Sequence, residues 1–178
     1  MKKIITLLLV GLMMLGGTIA TYAEEPGDTL KDTLMESLLE EGQGSRADRL
    51  EAGKLKEFSN EMHRINDLRI ERNQLRIQAI ERQDKLVDLL IAAREAGDKE
   101  ALKAAKEERA QLKPMKAEIK ALHEQAAAAR KAFREAVKSG DTETAHSELE
   151  KLINAHSSIN DKKESKLQVL DKLIDILS

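Results

Sequence analysis

Apolar residues recur along this chain in steps of three and four, the period of one helix face. Over the middle third the positions are Leu112, Met115, Ile119, Leu122, Ala126, Ala129, Phe133 and Ala136. Over the last third they are Ala145, Leu149, Leu152, His156, Ile159, Lys163, Lys166, Leu170, Leu173 and Leu177. Sustained 3-4 spacing is the seam of a coiled coil or of helices packed side by side. An earlier stretch carries Leu68, Leu75, Ala79, Leu86, Leu89, Leu90 and Ala93 on one face. Between these segments stand Gly97-Asp98 and Gly140-Asp141. Glycine suits the left-handed position after a helix, and aspartate suits the cap before the next. The pattern therefore predicts helices over about 46–96, 98–139 and 141–177. Connections this short make neighbours antiparallel. At 1.5 Å per residue the helices would span roughly 75, 65 and 55 Å. Pro114 removes one backbone donor and crowds the carbonyl of Ala110, which predicts a kink in the middle helix rather than a break. The fold class is all-α: an elongated antiparallel three-helix bundle or coiled coil occupying 46–178. A short helix with the stripe Leu30, Leu34 and Leu38 precedes it, within 24–45.

The first long helix carries a second apolar stripe: Ile70, Ile77, Ile80, Val87 and Ile91. A helix buried on one seam does not require it. Two readings stand open. In the first, this helix touches both of its neighbours and buries both faces. In the second, the stripe is an oligomer or client-binding surface, since exposed apolar patches mark interaction sites. Arg72 and Arg82 fall on the first face, where their stems can pack while their heads reach water or a carboxylate. His156, Lys163 and Lys166 interrupt the last seam, and polar seam residues trade stability for selection of register or oligomer state.

The N-terminus has a different pattern. Lys2 and Lys3 precede an apolar run, Ile4 to Ala20, and small residues at Thr21 and Ala23 precede Glu24. This three-part arrangement predicts a secretory signal peptide over 1–23, so the mature chain is expected to be exported: periplasmic, cell-envelope or secreted. The run is slightly short for a spanning helix, which needs ~20 residues. It is followed by Glu24, Glu25, Pro26 and Gly27 rather than by basic residues. Stable membrane insertion after cleavage is not expected.

Composition narrows the class. The chain has 30 basic and 32 acidic side chains, and loss of Lys2 and Lys3 would leave it more acidic still. It lacks the positive field that nucleic-acid binding requires. It has no cysteine, which excludes a disulfide framework and a lipid-modified cysteine. Aromatic residues make up 2% and charged residues 35% of the chain, a balance of long amphipathic helices rather than of a globular core.

Candidate chemistry is sparse. There is no Gly-rich phosphate loop, nucleophile elbow or paired-histidine zinc helix, so no catalysis and no cofactor are expected. Of the four histidines, His146 has the best carboxylate neighbours by helical spacing, Glu143 and Glu150, and these three are the weak candidates for a metal site. Basic residues crowd the second half of the middle helix, from Lys113 to Lys138. A helix C-terminus favours cations, with contact to an anionic envelope surface as the alternative.

Residues 85–125 read KLVDLLIAAREAGDKEALKAAKEERAQLKPMKAEIKALHEQ. A Leu-rich helix end, a Gly-Asp turn and a charged helix with spaced Ala and Leu are similar to small helical periplasmic proteins of the Spy/CpxP type. The resemblance covers about a quarter of the chain, without the family's Leu-Thr-x-x-Gln signature. It implies an extracytoplasmic stress chaperone or metal-stress accessory. The reading from the residues is an exported non-catalytic interaction protein, a scaffold, adaptor or ATP-independent chaperone-like binder of a protein partner or of itself. The alternative is an extracytoplasmic metal-binding or metal-stress accessory.

Overall fold

The computed structural model of the protein describes residues 56–178. The expected signal peptide over 1–23, the short helix within 24–45 and the first turns of the 46–96 helix lie outside the described residues. The described part is an all-α bundle of four helical segments: α1 (Ser59–Glu95), α2 (Lys99–Arg109), α3 (Leu112–Ser139) and α4 (Thr142–Leu177). α2 and α3 together take the place of the expected middle helix.

Each Gly-Asp pair both ends one helix and starts the next. Gly97 (φ 70°) and Gly140 (φ 75°) are left-handed, a conformation open to glycine without a Cβ penalty. The amide of Gly97 donates to the Arg94 carbonyl and that of Asp98 to Ala93. Gly140 and Asp141 repeat this with Val137 and Ala136, so both ends are Schellman motifs. The carboxylates then turn forward. Asp98 accepts from the amide of Ala101 at 2.9 Å, and Asp141 from Thr144 at 3.0 Å. The bonds from the Thr144 backbone and side chain hold the exposed Asp141 carboxyl below its ordinary range.

The middle helix divides at Ala110-Gln111, just ahead of Pro114. Both residues keep right-handed helical dihedrals. The hydrogen bonds tighten to the i→i+3 pattern, Ala110 to Glu107, Gln111 to Glu108 and Lys113 to Ala110. The ring of Pro114 deprives the Ala110 carbonyl of its usual donor, and the Lys113 amide supplies one a residue earlier.

Helix α4 lies at the centre of the packing. It runs against α1 on one side and α2 and α3 on the other, whereas α1 and α3 scarcely touch. The cross-links give the directions. Pairs between α1 and α4 rise together (Glu61 with His146, Arg72 with His156, Arg82 with Asp171), so these two helices are parallel. Glu118 with Lys162 and Glu108 with Lys172 run in opposite senses, so α4 is antiparallel to α2 and α3.

This arrangement corrects the first reading of the α1 stripe. α1 does not bury two faces; α4 does. Besides its expected seam, α4 buries Ala155, Asn160, Leu167, Val169 and Ile174. At 100° per residue these widen the buried arc to roughly half the helix circumference. At the end near the α1–α2 turn, Leu75, Leu86, Ala105, Leu167, Val169, Leu170, Leu173 and Ile174 form one apolar cluster from three helices. At the opposite end the chain's only two phenylalanines meet. Phe58, immediately before α1, packs edge-on against Phe133 of α3, with centroids 5.4 Å apart and planes at 89°. Both are 2% exposed. Edge-to-face pairs add stabilisation beyond their buried area.

Candidate interaction surface

The orientation of α1 is set by what it turns toward α4. Ile65, Leu68, Leu75, Leu86 and Ala93 are buried, and Arg72 is buried among them at 4% exposure. An Arg72 guanidinium nitrogen stands 2.6 Å from Nδ1 of His156, itself 2% exposed. Guanidinium has no acceptor, so Nδ1 must accept. The imidazole is therefore neutral there, with its proton on Nε2. One turn along α4, Asn160 Nδ2 donates to the Leu68 carbonyl at 2.9 Å and to Glu71 Oε2 at 2.8 Å. Asn160 Oδ1 is buried without a hydrogen-bond partner. Arg82 donates from Nε to Asp171 Oδ1 at 2.7 Å, which holds its guanidinium even further above its ordinary value. These directional bonds fix the rotation of α1 about its axis more narrowly than apolar contact does.

With that rotation fixed, the second stripe faces away from α4. The mean directions of the two faces differ by roughly 140° at 100° per residue. Ile70, Ile77 and Ile80 are 58%, 57% and 56% exposed, Val87 46% and Ile91 37%. Among the described residues these five are the exposed large hydrophobics, and all five are β-branched residues on α1. They mark out a heptad, with Ile70, Ile77, Asp84 and Ile91 in one series and Asn73, Ile80 and Val87 in the other. Asn73 and Asp84 are exposed as well.

The weak metal candidates are not brought together. His146 turns to α1, with Nδ1 2.8 Å from Glu61 Oε1 and Nε2 3.7 Å from Glu57 Oε1. Its ring lies 4.7 Å from that of Phe58. Among the described residues no group of three His, Asp or Glu side chains is placed to hold a metal ion. Glu143 and Glu150 are exposed on α4. Sequence spacing found neighbours along one helix but not the acidic pair of Glu57, just before α1, and Glu61 in its first turn, because the Phe58 anchor that brings them to His146 depends on contacts far apart in sequence.

Lys166 is half-buried, and desolvation, with the nearby charge of Lys116, pushes its ammonium below the ordinary lysine value. No described helix is long and apolar enough to cross a membrane. No family model, curated protein or solved structure matches the chain.

Proposed function

We propose that this protein is an exported, non-catalytic helical interaction protein whose working surface is the outer stripe of α1. It acts as a scaffold, adaptor or ATP-independent chaperone-like binder, engaging apolar surface on a protein partner. The exposed set Ile70, Ile77, Ile80, Val87 and Ile91 carries this reading. Burying an isoleucine or valine is worth about 1.5–3 kcal/mol, and the fold leaves four isoleucines and one valine roughly half exposed. They line one face of one helix rather than being scattered, and clustered apolar surface of this kind marks binding sites. The signal-like N-terminus and the likeness of residues 85–125 to Spy/CpxP-type proteins support an extracytoplasmic setting for the same activity.

The test is suppression of aggregation. The wild-type chain is expected to suppress light scattering by an unrelated, thermally unfolding protein at low molar ratio. Ile77→Glu, exposed and remote from α4, should abolish suppression while leaving the helical content of the chain unchanged. Equal suppression by the variant, or none by the wild type, rejects the proposal.

A further inference from the structure

The stripe has an internal pattern that selects its occupant. We infer that it is covered by the same stripe of a second copy of this chain, running antiparallel, in one register. This rests on the reading of the α1 stripe as a protein-binding surface. The stripe holds two polar interruptions, Asn73 in one heptad series and Asp84 in the other. In an antiparallel pair each series of one helix meets the other series of its partner. Setting Ile77 opposite Ile80 of the second copy brings Ile70 opposite Val87. The same register brings Asn73 opposite Asp84, twice by symmetry. The amide of asparagine donates and the carboxylate of aspartate accepts, so the two polar interruptions satisfy one another. Four apolar layers and two hydrogen-bonded layers result. Ile91, the least exposed of the five, falls outside the apolar layers.

Other pairings lose this match. Sliding the antiparallel pair by one heptad sets Ile80 against Asp84 in one direction and Ile77 against Asn73 in the other. Parallel in-register pairing places Asp84 against Asp84 of the second copy, two like charges in an apolar seam. At the flanks of the favoured register Glu81 faces Gln74, and Arg76 faces Gln83. Asp88 and Asp67 meet at the rim, where solvent and salt screen them. The interface is isologous and closes on itself, so it yields a twofold dimer rather than a filament.

The chain's lack of cysteine makes cross-linking a clean test. A disulfide needs Cα atoms within about 7 Å. In the proposed dimer residue 70 lies opposite residue 87 of the second copy, and its own counterpart is roughly 26 Å away along the axis. Ile70→Cys and Val87→Cys are therefore prepared as full chains and oxidised mildly, separately and mixed. The expected result is a disulfide-linked dimer in the mixture and none in either variant alone. Light scattering of the uncut wild type should give twice the chain mass, and Ile77→Glu should halve it. Cross-linking of Ile70→Cys alone establishes a parallel dimer and overturns the proposal. A monomeric wild type with no cross-link also overturns it. In that case, loss of client suppression in Ile77→Glu still upholds the stripe as a binding surface, so the two failures are distinguishable.

Discussion

Replacing Arg72 and His156 singly and together tests whether the polar pair between α1 and α4 acts as one unit. Arg72 is 4% exposed, His156 is 2% exposed, and 2.6 Å separates their bonded nitrogens. Arg72→Met keeps the stem volume but strands a buried ring nitrogen. Leaving a buried acceptor unsatisfied costs about 1–3 kcal/mol. His156→Leu withdraws an acceptor from a buried guanidinium and should cost about 2–3 kcal/mol. The double variant Arg72→Met with His156→Leu replaces the pair by apolar side chains of similar volume. Such exchanges are often neutral or stabilising, so the double variant should lie within about 1 kcal/mol of wild type. The expected coupling is therefore about 3 kcal/mol, far outside the few tenths expected of independent positions. Urea denaturation followed by helical circular dichroism measures all four proteins. A nitrogen-detected NMR spectrum adds an independent check, since the geometry requires a neutral His156 ring protonated on Nε2. Singles that sum to the double within error would refute the pair as an energetic unit. A ring protonated on Nδ1 would refute the hydrogen bond itself.

Phe133→Ala should lower unfolding free energy by about 3–5 kcal/mol, because it opens a cavity against the buried Phe58; thermal denaturation reads the loss. Lys166→Met should stabilise the fold by about 1 kcal/mol at pH 7 by removing a desolvated charge from the α4 seam. The sign of its pH dependence follows from the depressed ammonium. Between the folded value and the ordinary 10.5 the unfolded chain binds more protons, so wild-type stability should rise with pH through that window. The difference between wild type and Lys166→Met should shrink over the same range, and a constant difference would contradict the desolvation argument.

Much of this architecture was legible because local signals agreed with one another. The Gly97-Asp98 and Gly140-Asp141 pairs fixed the turns through backbone chemistry that needs no distant partner. The 3-4 spacing of the α3 and α4 seams marked faces that are indeed buried or half-buried. What spacing does not encode is which helix lies between the other two. A double stripe on α1 is as compatible with a helix that touches both neighbours as with one that keeps a face free. The interruption at His156 proved compatible with burial, because it finds an α1 partner. Lys166 tolerates its position at an electrostatic cost. The α1 stripe itself was identified residue for residue, but a 3.6-residue period is the same whether a stripe meets a neighbouring helix or water. The acidic pair facing His146 was not legible, since no local pattern announces a contact across 85 residues.

The central place of α4 has a consequence for how the molecule comes into being. During synthesis α1, α2 and α3 emerge first, and α1 and α3 offer each other almost no surface. Neither can bury its apolar face until α4, the last of the described helices, arrives between them. Of the segments Leu75 and Leu86 must meet, Leu167 to Ile174 lies furthest along the chain. α1 and the α2–α3 pair therefore both depend on α4 for their apolar cover, and the bundle closes only once α4 is in place. Trimming the last turns of α4 would remove the keystone of the bundle rather than fray one end.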